Sequence, residues 1–504
     1  MNTLATPGMM VAIFICLAIY AAVILYFVIR GARRTKTMSD YATGTFQFSP
    51  AAIGLSLAAG MTSAATFIIN PGFVAYYGIS SFLSMAVFLP LGALISLVIL
   101  SKQFRKVGSV IQAKTIAQWL GNRFQSEGFK LYIAFLSLLH LTFIVLICVG
   151  LTQVLSKALN TDVLYVLIGI VTFTFGYMMF GGANSMVYTN MIQALLKVVV
   201  AIIILGSGYH FFTDGVGGLF SKLNVIDPML TKAFNPTSPL YRDFFEVVIC
   251  QFIVGVAIVC QPHIITRSML VKNDKDMNRY LTVSVLLLII FFTVVFAGLY
   301  GRLQFPDLKY NGGPLALDGV MSAYVVTAFK PALSLFLVIG LIASGIATLE
   351  SLIQSISTTI TSDIIKTLSG KGELKNELLI NKMVIAAMAV ITITVSYNQL
   401  KHPDLSVGIL AQNGVYASFS AAFVPLLFGM FLKNVHKAAP IIASVVAIVV
   451  HFSVYYGRLT PYMQEPIRNP GVASAIAILS SIVVGAIVYM ITKPMTNSKP
   501  AMAA

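Results

Sequence analysis

Apolar stretches recur along the whole chain, separated by short polar segments that hold most of the charge. A run of about 18 or more apolar residues, folded as a helix, crosses a hydrocarbon core of roughly 30 Å. Helices also satisfy their own backbone hydrogen bonds, which lipid cannot do. A membrane barrel would instead show alternating stretches of about ten residues, and none runs through this chain. The pattern predicts thirteen spans, at about 9–30, 50–76, 80–101, 130–156, 163–181, 188–210, 243–266, 280–301, 329–362, 379–397, 405–432, 437–456 and 470–492. An odd number puts the two termini on opposite sides. The first run, Met9 to Ile29, is too long for the apolar core of a signal peptide, and its basic residues follow rather than precede it, so it reads as a retained anchor.

Composition agrees with this reading. Hydrophobic residues make up 58% of the chain and charged residues 10%, with a mean hydropathy of +0.89. The formal net charge of +16 could suggest nucleic acid, but its placement does not. One alternate set of loops, beginning with Arg30, Arg33, Arg34 and Lys36, holds 22 of the 33 basic residues, while Lys197 falls inside a span. Positive loops face the cytoplasm. A multi-pass protein of the cytoplasmic (inner) membrane follows, N-terminus outside and C-terminus inside, with the excess charge set against anionic headgroups. Its partners are the bilayer and a small molecule, with no nucleic acid. The four cysteines (Cys16, Cys148, Cys250 and Cys260) lie in apolar runs without CxxC spacing, which indicates neither zinc nor a disulfide framework. No HExxH, GxSxG or GK[ST] motif occurs, so an enzyme is not expected. A channel is disfavoured by the absence of repeated pore motifs, and a sensor by the absence of a signalling domain.

Several local patterns then stand in a telling order. Ser39-Asp40-Tyr41-Ala42-Thr43-Gly44 and Ser49-Pro50 precede the second span. That span carries Ala59-Gly60-Met61-Thr62-Ser63-Ala64-Ala65-Thr66-Phe67, then Pro71-Gly72 and Tyr77-Gly78. Thr115-Ile116-Ala117-Gln118-Trp119-Leu120 with Arg123-Phe124 precedes the fourth. Gly181-Gly182-Ala183 leads to Tyr188-Thr189-Asn190-Met191-Ile192-Gln193, and Gln261-Pro262-His263-Ile264-Ile265-Thr266-Arg267 and Ser357-Thr358-Thr359-Ile360-Thr361-Ser362-Asp363 follow. Together, over about residues 35–435, these resemble the sodium/solute symporter family, whose members include sodium/proline, pantothenate, acetate and sugar symporters. The chain departs from the family pattern at Ala117 and Gln118, where Pro and an acid are usual, and at Asn190, where Asp is usual.

The resemblance implies an all-α polytopic transporter of the LeuT type, with two inverted five-helix repeats. It would place an anchor helix and basic loop at 1–47, the first repeat at 48–210, the second at 243–432 and two further helices with a tail at 433–504. It implies secondary active symport of an amino acid, monocarboxylate or pantothenate-like solute, with a monomer as the transport unit and no cofactor apart from the coupling ion. Read on their own, Asn70-Pro71-Gly72 in span two and Gly255 with Gln261-Pro262 in span seven are equally consistent with broken helices at a transport site and with ordinary kinks.

Carried over residue by residue, the family's sodium site falls on the carbonyls of Ala59 and Thr62 and on Ser344, Ala347 and Thr348. A desolvated sodium wants five or six hard oxygens, and Ala347 stands where sodium-coupled members usually have Ser. Ser344 and Ser351 share the face of Thr348 and could supply a displaced hydroxyl; otherwise the ion is H+. Glu350, an acid deep in a span, is a coupling candidate by default, about 60° around the helix from Ala347. The rival reading, to which the residues lean, is a structural acid paired with His263, Arg267 or another span's polar group. The resemblance places substrate among Ser63, Thr66, Phe67, His140, Thr142 and Gln261. No arginine is expected in mid-span, so a carboxylate would be received by amides and hydroxyls.

Overall fold

A computed structural model describes residues 7–45, 47–63, 65–111, 113–370, 374–402, 407–464 and 467–496. Ala64 of the small-residue stretch and Lys371 and Lys499 of the basic set lie outside them. The apolar runs are helical. The long helices are α1 (Met10–Ala32), α2 (Pro50–Met61), α3 (Ala65–Tyr77), α4 (Ile79–Ile111), α5 (Glu127–Leu159), α6 (Val163–Phe212) and α7 (Phe245–Ile258). They continue with α8 (Pro262–Leu270), α9 (Asp274–Gln304), α10 (Pro331–Leu368), α11 (Glu377–Lys401), α12 (Gly408–Phe431), α13 (Ala438–Gly457) and α14 (Pro470–Lys493). Ten are long and apolar enough to cross a membrane, and the pairs α2/α3 and α7/α8 bring the number to twelve.

Helix α6, 50 residues long, covers two of the predicted spans. It breaks at Gly182, whose φ of 55° and ψ of −155° belong to a region open essentially to glycine alone. Counting its halves separately gives the thirteen spans read from the sequence. Polar residues start the helices where lipid-length apolar runs begin. The Ser49 hydroxyl accepts from the Ala52 amide ahead of Pro50, and the Asn273 side chain accepts from Asp276 N ahead of an acidic first turn.

The two pairs are bent by 58° and 56° respectively. The second bend falls before Pro262, as expected. The first does not fall at Asn70-Pro71-Gly72. It lies at Thr62, whose backbone is extended (φ −104°, ψ 109°). Pro71 is tolerated inside α3 because it stands in the first turn after the π-helical turn Ala65–Ile69, where its missing N–H costs little.

Helix α6 packs on α1, α2, α5, α10 and α11, and α2 also packs on α9 and α10. Two of the motifs meet here. Tyr41 donates to Met178 O (3.1 Å), the Thr45 amide donates to Asn184 Oδ1 (2.7 Å), and a Cβ on Gly182 would lie 2.7 Å from Tyr41 O. Two others join through Asp363, which accepts from Thr115 Oγ1 (2.6 Å) and Gln118 Nε2 (2.7 Å). Gln118 at the family's acidic position can donate to Asp363, which a carboxylate there could not. Glu246 is fully buried, paired with Arg242 (2.6 Å) and accepting from Asn469 Nδ2 (2.9 Å). The one strand pair among the described residues is antiparallel, Lys309 opposite Pro314 and Tyr310 opposite Gly313.

Gly182→Ala is expected to lower the apparent stability of the detergent-purified protein by about 1–3 kcal/mol. Gly176→Ala, in the same helix with no atom within 4 Å of the added methyl, should be neutral or slightly stabilising. Thermal melting of the two variants checks this.

Candidate ion and substrate site

The bend at Thr62 frees backbone carbonyls at the end of α2, in the middle of the bundle. Ala59 O and Thr62 O are the pair that the resemblance assigns to the ion. Both accept from the Nζ of Lys197, at 2.6 Å each. Lys197 is fully buried in the second half of α6. Thr348 Oγ1 reaches Thr62 O at 3.4 Å from α10. Ala347 packs its methyl against Ala59 and Ala194, and its carbonyl accepts from Ser351 Oγ (2.8 Å). Ser344, one turn before Thr348, is buried with its hydroxyl unpartnered. The two carbonyls expected for sodium thus meet an amine in this structure, and Ala347, as its sequence position already implied, offers no side-chain oxygen.

Glu350, also on α10, faces α6. Its carboxylate accepts from Tyr177 (2.5 Å), Thr189 and Gln193 (3.2 Å). The Asn190 amide, turned to satisfy its neighbours, donates to Glu350 Oε2 (3.0 Å) and accepts from Arg267 (3.0 Å). A buried acid thus has four donors and, among the described residues, no direct ion pair, which is how such a group is held in a low-dielectric interior. Of the partners weighed from the sequence, His263 and Arg267 are not in direct contact, and the polar groups of α6 are. Asn190 at the family's Asp position supplies a donor to Glu350 where a second carboxylate would repel it. Arg267 is 3% exposed within α8 and donates to Ser56 and to Ser351 (2.5 Å).

Beside the broken helices lies a cavity of about 100 Å³. Ser63, Thr66 and Gln261 line it. So do Asn70, His263, Gln412 and Tyr416, with Phe143, Phe292 and aliphatic side chains forming the rest of the wall. Gln261 Oε1 and His263 Nδ1 are buried here without a hydrogen-bond partner. No charged side chain lines the cavity among the described residues.

Three expected substrate residues are elsewhere. Phe67 leaves the π-helical turn toward α9, with its ring 5.8 Å from that of Phe291. His140 lies beside His263, ring centroids 6.3 Å apart, with Nδ1 against Ser137 O (3.2 Å). Thr142 hydrogen-bonds Leu139 O (2.7 Å). Lys197, Asn70, His263 and Gln412 were not singled out as site residues. For Lys197 a signal existed, since a cation inside a span is a functional candidate by default. His263 stood in the Gln261-Pro262-His263 motif. Nothing local marked Gln412.

Comparison with known proteins gives the fold and the family. The chain is 19% identical to a Na+-coupled sialic acid symporter captured in a substrate-bound outward-open state. The two superpose with a TM-score of 0.78 over 98% of this chain and 99% of that one, which establishes the LeuT-type fold. A manganese transporter mutant from Eremococcus coleocola is more distant, at 15% identity and a TM-score of 0.52 over 89% and 95% of the two chains. By sequence, the chain is 23% identical to a high-affinity proline transporter of Bacillus subtilis, covering 88% of this chain and 92% of that one. It is 24% identical to the sodium/pantothenate symporter of Escherichia coli, covering 88% and 90%. The profile of the sodium:solute symporter family matches residues 41–446, and the chain belongs to that family.

Proposed function

We propose that this protein is a secondary active symporter that takes up a small organic solute by alternating access, driven by a cation gradient. The observation that carries the reading is the cavity at the two helix breaks, where Gln261 Oε1 and His263 Nδ1 lack partners. Buried polar atoms of that kind are completed by a ligand or water. Membership of the sodium:solute symporter family supports sodium as the driving ion. Relatives named as proline and sodium/pantothenate transporters support an amino acid, monocarboxylate or pantothenate-like solute. The uncharged wall agrees with a small solute whose polar groups are met by hydroxyls, amides and one imidazole. The basic loops support the cytoplasmic membrane with the N-terminus outside and the C-terminus inside, and the cavity lies within one chain, which supports a monomer as the transport unit.

In this reading Gln261 and His263 meet the solute's polar groups, Ser63 and Thr66 line its other side, and the bent pairs open and close around it. Glu350 holds α10 against α6 and does not carry the coupling ion, because four donors already engage it.

Uptake of labelled proline, pantothenate and acetate into cells is the direct test, with sodium replaced by potassium or choline at two pH values. Accumulation above equilibration that is lost without sodium is expected for one of them. Flux that only equilibrates would contradict symport. Accumulation indifferent to sodium but lost at high pH would transfer coupling to protons and to Glu350.

Gln261→Ala should raise the KM for the transported solute roughly tenfold, the loss of about one hydrogen bond, with normal surface expression. An unchanged KM would remove Gln261 from the site. Glu350→Gln turns an amide N–H₂ toward existing donors and should destabilise the purified protein by about 1–3 kcal/mol. Its pH profile of uptake should keep the wild-type shape, and a changed profile would make Glu350 a coupling residue.

A further inference from the structure

Two carbonyls released by a helix break, in a protein whose family moves sodium, would ordinarily be offered to the ion. Here they are already engaged. Lys197 Nζ lies 2.6 Å from Ala59 O and 2.6 Å from Thr62 O. The side chain reaches them from α6 and is fully buried. Among the described residues no carboxylate stands within 4.0 Å of the ammonium. The acid on the facing stretch of α10, Glu350, is held by Tyr177, Thr189 and Gln193. The two carbonyls are therefore the acceptors that make the buried lysine nitrogen tolerable, since a polar group in a low-dielectric interior must be paired with oxygen dipoles or charge.

The rest of the position fits an ammonium and not a metal ion. Sodium needs about five or six oxygens around it. Apart from the two carbonyls, the side-chain oxygen in contact with them is that of Thr348, 3.4 Å from Thr62 O, with the buried Ser344 hydroxyl one turn away. Ala347 presents a methyl group, and its carbonyl is taken by Ser351. The lysine nitrogen needs far fewer partners, and the two carbonyls engage two of its N–H groups. A sodium ion on the same two carbonyls would also lie against Lys197, one unit positive charge beside another, in a site with little water to screen them.

We propose that the ammonium of Lys197 is a tethered substitute for the mobile ion at this position, and that sodium does not bind there. The inference rests on the transporter reading and changes one part of it. At the broken end of α2 the cation belongs to the chain and cannot leave with the solute. When α2 separates from its neighbours, the link to be broken is a side-chain hydrogen-bond pair to α6, and any sodium that drives uptake binds outside this position.

The test needs no substrate, so it stands whether or not accumulation is ever observed, and a failure of accumulation would count against symport alone. The purified full-length protein is melted in sodium, potassium and choline chloride at equal ionic strength. Ala347→Ser restores the missing hydroxyl but leaves the lysine in place, so its sodium response should equal that of the wild type. Lys197→Ala combined with Ala347→Ser should gain a sodium-specific rise in melting temperature of about 3 °C or more at saturating sodium. A sodium-specific gain in Ala347→Ser alone would overturn the proposal, as would no gain in a folded double variant. If the double variant does not fold, Thr348→Ala in the otherwise wild-type chain decides the matter. An unchanged sodium response supports the tethered cation, and a weakened one shows that sodium occupies the position after all.

Discussion

A backbone carbonyl without a partner inside a bilayer costs several kcal/mol, and breaking α2 at Thr62 leaves such carbonyls in the middle of the bundle. Everything around the site answers that constraint. Lys197 crosses from α6 to meet Ala59 O and Thr62 O, and Thr348 approaches Thr62 O from α10. The small residues Ala59, Ala194 and Ala347 let the three helices come close enough for these contacts. The break and the lysine are therefore mutually dependent. Without the break there are no free carbonyls, and without them a cation could not be buried at that depth.

A second polar centre runs alongside the first and does different work. Glu350 gathers Tyr177, Thr189, Asn190 and Gln193 from α6, and Asn190 passes the contact on to Arg267 of α8. Arg267 in turn reaches Ser56 of α2 and Ser351 of α10. Helices from both halves of the chain are thus joined by hydrogen bonds whose every charged member is satisfied, the condition under which buried polar networks stabilise rather than strain a fold. The cavity lined by Gln261 and His263 differs in kind, because there polar atoms are left without partners.

The spans were legible because apolar length is a local property of the sequence. The pairing of motifs was not: nothing in their spacing said that the loop around Tyr41 docks on Gly182. The position of the first break was not. Asn70-Pro71-Gly72 looked the better interrupter, but a proline one turn into a helix does little harm, and Thr62-Ser63 carries neither glycine nor proline. Ala347 was recognisable as a discord, yet its explanation lay elsewhere. Lys197 was visible as a charge within a span, while its acceptors lie 138 and 135 residues away in sequence, and no periodicity or spacing connects residues so separated. Phe67 and His140 were placed by analogy of position, and the π-helical turn at Ala65–Ile69 and the packing of His140 beside His263 turned them aside.

The central claim is that the cation at the broken end of α2 is part of the chain. An experimental density map of the protein prepared in saturating sodium would test it most directly. The account predicts density for the Lys197 side chain continuous to within about 3 Å of Ala59 O and Thr62 O, with no separate peak between them. Lys197 turned away, with an isolated peak ringed by these carbonyls and the Thr348 hydroxyl, would contradict it.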